Sequence, residues 1–245
     1  MIQNVLCFLE ESAEAYPHKT AFADEHTSLT YRRLSDLSMR IGSVLGQKTG
    51  PRRPVPVLAE KNVFTLTAFM GIVRAGCFYV FLDAGQPAER LNRILDTLQA
   101  DLMIADKESL SLAGPVSFSG EILPLEDLMS LPDDALNPGL LASIRRQSTD
   151  TDPLYGIFTS GSTGVPKGVV ASHRSVIDFI GHFTDLFHIT QDDIIGNQAP
   201  FDFDVSVKDI YSALKTGATL EVIPKKLFSI PTGLLDYLCD RKITT

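Results

Sequence analysis

The sequence predicts an α/β fold of mixed, mostly parallel sheets covered by helices, and three observations predict it. Short apolar runs alternate with helix-period segments from residue 55 to 106. The same alternation resumes at 154. The 245 residues are 44% hydrophobic and 21% charged, which suits a soluble chain long enough to bury a core.

Taken in order, Ile2, Val5, Leu6, Leu9 and Ala13 recur at helical spacing up to Pro17, so the chain opens with an amphipathic helix. AFADE (21–25) and SLTY (28–31) read as strands around a polar His26-Thr27 connection, and Leu34, Leu37, Ile41 and Leu45 mark one helix face before Gly46. VPVLA (55–59) reads as a buried strand, 62–75 as a helix ending at Gly76, and FYVFLD (78–83) as a strand. A helix over 87–98, with Pro87 in its first turn, leads to the strand DLMIAD (101–106). Such alternation implies right-handed crossovers. Residues 107–153 are rich in Ser, Pro, Asp and Leu and only weakly periodic, so an irregular connection is expected there. It would divide a first α/β subdomain, 1–150, from a second part, 151–245.

From 154 the order is LYGIFT as a strand, a Gly/Ser/Thr loop, KGVVAS as a second strand and a helix near 173–187. DIIGNQA (193–199) is strand-like, 206–215 is helical with Gly217 just past its end, ATLEVIP (218–224) is a strand and GLLDYLCDRK (233–242) a helix. A helix that has crossed a sheet needs a strand to cover, so a parallel strand is expected to begin at Ile243-Thr244-Thr245. On that ground the chain reads as the N-terminal part of something longer.

Composition excludes several functions. With 22 Lys+Arg against 30 Asp+Glu the net charge is −8, so no positive field gathers nucleic acid. No apolar run approaches the roughly 20 residues of a membrane span, and the acidic N-terminal segment lacks the basic region of a signal peptide. Cys7, Cys77 and Cys239 are odd in number and have no CxxC spacing, which argues against disulfides and zinc and for a cytoplasmic setting. Cys77 and Cys239 are expected as buried packing residues. His173, His182 and His188 lack metal spacing and are expected in surface or capping roles.

The most informative segment is YGIFTSGSTGVPKGVV, residues 155–170. Thr159, Ser160, Gly161, Ser162, Thr163 and Gly164 put six small residues between two apolar runs, so backbone N–H groups and hydroxyls can converge on a small anion. Lys167 adds a compact positive charge and Pro166 stiffens the approach. Composition alone also allows a flexible hairpin tip. The segment matches neither the Walker pattern, which needs Gly and Lys adjacent and a helix after them, nor the dinucleotide fingerprint G-x-G-x-x-G.

The string resembles the phosphate-loop signature Y/F-TSG-S/T-TGxPKGV of the adenylate-forming enzymes: acyl-CoA synthetases, luciferases and the adenylation domains of nonribosomal peptide synthetases. LTYRRLSDLSMRIGSVL (29–45) resembles the family's LTYxEL segment, with Arg33 where an acidic residue is usual. AFMGIVRAGCFYVFLD (68–83) resembles LKAGxAYVPLD, and APFDFDVSVKDIYSALKTGATLEVIP (199–224) resembles the FDxSVxEI segment of amino acid adenylation domains. The resemblance covers nearly the whole chain and corresponds to an incomplete N-terminal large domain of such an enzyme. It implies a reaction in which a carboxylate attacks the α-phosphorus of Mg-ATP, and a carrier-protein phosphopantetheine thiol then takes the acyl group. The Mg²⁺-binding glutamate and the small C-terminal lid domain with its catalytic lysine would lie beyond Thr245. The loop, including Lys167, would hold the ATP phosphates.

Phe203-Asp204-Val205-Ser206 precedes a predicted helix, where Asp204 or Ser206 can act simply as an N-cap. By the resemblance, Asp204 matches the residue that pairs with the α-ammonium of an amino acid substrate, which points to an amino acid rather than a fatty acid. Val205 and Lys208 match positions facing the side-chain pocket. Lys208 either meets an acidic or polar substrate side chain or extends to solvent, and Phe203 either walls the entry or, as a Phe at a strand end usually does, joins the core. The expected function is amino acid adenylation, in a synthetase module or a stand-alone ligase of the D-alanine type. The alternatives are an acyl-CoA synthetase-type fatty or aryl acid ligase and a truncated module without turnover.

Overall fold

A computed structural model describes residues 2–159 and 166–245. In chain order its elements begin with α1 (Leu6–Ala15), β1 (Thr20–Ala23), β2 (Ser28–Thr30), α2 (Tyr31–Lys48), β3 (Pro54–Leu58), α3 (Val63–Arg74), β4 (Phe78–Leu82) and α4 (Ala88–Leu98). There follow β5 (Leu102–Ala105), α5 (Lys107–Ala113), β6 (Glu121–Pro124), α6 (Leu125–Met129) and α7 (Pro138–Gln147). The chain continues with β7 (Pro153–Thr159), β8 (Lys167–Ser172), α8 (His173–Leu186), β9 (Ile194–Asn197), α9 (Val205–Thr216), β10 (Thr219–Val222) and α10 (Pro231–Asp240). Every strand and helix expected from periodicity is present, with ends shifted by a few residues.

Two compact units emerge, one of residues 1–36, 61–63 and 174–245, the other of 37–60 and 64–173. They are not the sequential halves 1–150 and 151–245. The reason is strand pairing: β1 lies parallel to β10, some two hundred residues away, while β7 lies parallel to β4.

The unit of 37–60 and 64–173 is built on a six-stranded sheet of order β6-β5-β3-β4-β7-β8, parallel except for the β7/β8 pair. All five residues of β4 are buried, as a parallel strand covered on both faces requires. Leu91, Ile94 and Leu95 of α4 join Leu58, Val80, Leu82, Met103 and Ala105 in one core cluster. The Phe69 ring of α3 stacks on Tyr79 at 4.1 Å between centroids. Close contact of α2 with α3 depends on Gly42 and Gly71, where an added Cβ would sit 2.3 Å from Arg74 Cβ and Ile41 Cγ2 respectively. The stretch 107–153 is more regular than expected: it holds α5, capped by Asp106 through a 2.6 Å bond from Ser109 N, then β6, α6 and α7. β6 has four residues and α6 five, too short for either period to show in the sequence.

The other unit has a four-stranded sheet of order β2-β1-β10-β9, with only β1/β2 antiparallel. Residues 243–245 form no strand, although they bond beside β9: Thr244 N donates to Ile194 O at 2.9 Å and Gly196 N to Thr245 O at 2.8 Å. The C-terminus of α9 is held by distant side chains. Ser12 Oγ donates to Leu214 O at 2.6 Å, the Lys19 ammonium donates to Gly217 O at 2.6 Å, and the buried Tyr31 hydroxyl lies 2.7 Å from Ala213 O and 2.6 Å from Ala218 O. The Leu214 carbonyl that the last helical turn leaves free is thereby satisfied, and the opposite end of α9 carries the candidate site.

Candidate functional site

The first candidate segment lies between β7 and β8, and the structure describes its two flanks. Their antiparallel register sets Thr159 opposite Lys167 and Phe158 opposite Gly168. Both Thr159 and Lys167 are exposed at the open end of the pair. Gly168 makes room for the ring across from it, since an added Cβ would lie 3.1 Å from Phe158 Cζ. Arg90 of α4 braces the same end of β7, donating from Nη2 to Phe158 O at 3.0 Å while its Nε donates to Gln86 Oε1 at 2.8 Å. Ser160, Gly161, Ser162, Thr163 and Gly164 lie outside the described residues.

The second segment follows β9. Asn197 ends the strand, residues 198–204 turn, and α9 begins at Val205. Phe203 N donates to Pro200 O at 3.2 Å, and Ser206 Oγ turns back to Phe203 O at 2.7 Å. Asp204 occupies the N-cap position in helical geometry and makes no side-chain capping bond; it is exposed, as are Phe203 and Val205. Asp204 and Lys208, four residues apart, share one face of the chain as it enters α9. Phe203 is 57% exposed, which corrects the expectation of a core role: it sits in the turn just before α9 rather than on a strand.

A polar cluster lies beneath this turn. The Lys61 ammonium donates to Asn197 O at 2.9 Å, Gln198 O at 3.2 Å and Ile223 O at 3.4 Å, and sits 5.7 Å from the centroid of the Phe201 ring. Asn197 Nδ2 donates to Asp209 Oδ2 at 3.0 Å, and the other Asp209 oxygen is paired with the Lys208 ammonium. Burial lowers the Lys61 pKa to about 8, with Asp209 acting to raise it. Burial likewise raises that of Asp209, against the pull of Lys208. Among the described residues no three His, Cys, Asp or Glu side chains gather as a metal cage.

A sequence profile described as "AMP-binding enzyme" matches residues 9–245. The chain belongs to this AMP-binding enzyme family. It is 36% identical over 231 residues to surfactin synthase subunit 1 of Bacillus subtilis, covering 93% of this chain and 6% of that protein. It is 30% identical to tyrocidine synthase 1 of Brevibacillus parabrevis, covering 96% and 21%, and 31% identical to the D-alanine–D-alanyl carrier protein ligase of Staphylococcus aureus, covering 94% and 44%. The chain thus spans less than half the length of each of these relatives. Among solved structures, the nonribosomal peptide synthetase FmoA3 in its AMPPNP-bound form superposes with a TM-score of 0.86 at 26% identity, over 98% of this chain and 25% of that one. The N-terminal subdomain of Klebsiella oxytoca NpsA, at 20% identity and a TM-score of 0.84, shares the fold.

No sequence pattern singles out Lys61 or Asn197. The only signal for Asp209 was its place on the inward face of α9; Lys61 follows a strand of the other sheet and has no local pattern. Two further expectations are corrected. His173 is buried, because it opens α8 directly after β8 and its N–H donates to Asp152 O at 3.1 Å. Cys239 is exposed, because no residue of α10 is buried, whereas Cys77 is buried as expected. No helix among the described residues is long and apolar enough to cross a membrane.

Proposed function

We propose that this chain carries the phosphate loop and the substrate-ammonium site of an ATP-dependent ligase that activates an amino acid as its adenylate and loads a carrier protein, in the cytoplasm. A carboxylate oxygen of the amino acid attacks the α-phosphorus of ATP, the bond from that phosphorus to the bridging oxygen breaks, and pyrophosphate leaves. The phosphopantetheine thiol then attacks the acyl carbon, loses its proton and expels AMP. Such chemistry depends on positioning and charge stabilisation more than on protein nucleophiles.

The paired ends of β7 and β8 support the phosphate role, since their register sets Thr159 directly opposite Lys167 and both residues are exposed. In this reading Ser160, Ser162 and Thr163 add hydroxyls, while Gly161 and Gly164 let the phosphates approach the backbone. Mg²⁺, when bound with ATP, neutralises phosphate charge; no described residue is assigned to it. The observation that carries the amino acid reading is Asp204, an exposed carboxylate at the N-cap of α9 with no capping bond to occupy it. A substrate ammonium would supply its partner. Phe203 and Val205 flank that carboxylate as pocket walls, and Lys208 contributes its stem while its ammonium neutralises Asp209.

Exchange of labelled pyrophosphate into ATP tests this, using the full-length protein with a panel of amino acids, fatty acids and aryl acids. Exchange with one or a few amino acids alone is the expected result. Exchange with fatty or aryl acids and none with amino acids would replace this reading by an acyl-CoA synthetase-type ligase, and silence with every acid by a non-catalytic module.

A further inference from the structure

We infer that Lys61 is a positioning residue for the substrate turn: its ammonium ties the carboxyl ends of β9 and β10 together and so fixes residues 198–204, on which Asp204 is carried. The inference rests on the reading of Asp204 as the substrate-ammonium partner.

Lys61 has three N–H donors and three carbonyl acceptors, those of Asn197, Gln198 and Ile223. Asn197 is the last residue of β9 and Ile223 follows the last residue of β10, so the ammonium sits where two parallel strands end. In open α/β sheets that edge is where ligands bind. The same ammonium reaches the turn again at the ring of Phe201, which is buried at 4% exposure. From Asn197 the connection continues through its amide to Asp209 on α9, so both the start of the turn and the helix after it refer to one cluster. Asp209 is the charged group facing Lys61, and Lys208 stands on the far side of Asp209. A half-desolvated lysine whose pKa is lowered to about 8 is an unusual choice for a plain structural tie, because the tie loosens when the charge is lost.

The test compares Lys61→Met and Lys61→Arg with the wild type in the full-length protein. In Lys61→Met, KM for the amino acid should rise about tenfold or more while KM for ATP stays within about twofold, and Lys61→Arg should restore most of the loss. Wild-type amino acid binding should weaken as pH rises through about 8, and in Lys61→Arg that limb should move upward, since a guanidinium keeps its charge. A folded Lys61→Met with unchanged amino acid KM, both KM values rising together, or an unshifted pH limb in Lys61→Arg would each overturn the inference. Should Lys61→Met fail to fold, the pH limb of Lys61→Arg decides. Absence of exchange with any amino acid in the wild type would instead overturn the reading of Asp204. Lys61 is then judged by amide exchange over 198–204, which must quicken about tenfold in Lys61→Met relative to β3 and β4; an unchanged rate overturns it.

Discussion

The Lys208 ammonium is paired with the carboxylate of Asp209, its neighbour on α9, and the Asp209 side chain is only 4% exposed. Lys208→Met therefore leaves a buried carboxylate with Asn197 as its remaining direct partner. Because the lysine itself is about a third exposed, the loss should be modest, about 1 kcal/mol at neutral pH. The raised Asp209 pKa would rise further without Lys208, so the loss should shrink as pH falls and the carboxyl protonates in both states. Urea denaturation at pH 7 and pH 4.5 checks the trend. Amino acid preference should be unchanged; a switch in preference would mean that the Lys208 ammonium meets the substrate side chain.

Gly217 ends α9 with φ +75°, and an added Cβ would lie 2.5 Å from the ring of Tyr16. Gly217→Ala combines left-handed backbone strain of about 1–2 kcal/mol with crowding of about 1–3 kcal/mol. A loss of roughly 2–5 kcal/mol in denaturant unfolding is expected. A loss of only about 1–2 kcal/mol would mean that Tyr16 moves aside without cost and that backbone strain alone remains.

His173 gives the protein an acid-sensitive point. Burial lowers its pKa to about 4, below the ordinary histidine value. The unfolded chain therefore takes up a proton between about pH 6.5 and pH 4 that the folded chain refuses, and stability falls as pH drops through that window. The contribution is at most about 3 kcal/mol. Replacing the imidazole by a neutral amide in His173→Gln should flatten the slope of stability against pH between 6.5 and 4. An unaltered slope would assign the acid sensitivity to carboxylates.

Much of this architecture was legible because its signals are local. The continuous apolar run at Phe78–Leu82 declares a doubly covered strand, and Gly217 closes a helix whose pattern runs from Val205. The residues around the loop, Thr159 to Lys167, carry a family signature in their order alone. Pairing of β1 with β10 carries no comparable signal, because parallel partners two hundred residues apart share only their apolar character. Lys61 was hidden for the same reason: its partners at Asn197, Gln198 and Ile223 are backbone carbonyls, which every residue possesses. Phe203 shows the converse, since a large apolar ring signals burial until the backbone turns it outward.

Asp204 can be separated from its own structural alternative by one substitution. Asparagine serves as an N-cap about as well as aspartate, so Asp204→Asn keeps any capping value while removing the charge. The side chain makes no capping bond in any case, and stability should change by less than about 0.5 kcal/mol. Binding of an amino acid should respond very differently. If the substrate ammonium is desolvated against this carboxylate, losing the partner costs about 3–5 kcal/mol, or roughly two to four orders of magnitude in affinity. The amino acid KM in pyrophosphate exchange should therefore rise at least about 100-fold, with KM for ATP nearly unchanged, because the phosphates are assigned to the loop between β7 and β8. A carboxylic acid lacking the ammonium should bind the variant no worse than it binds the wild type. Equal losses for both acids would show that Asp204 shapes the turn rather than recognising charge, and an unchanged amino acid KM would place the ammonium's partner elsewhere.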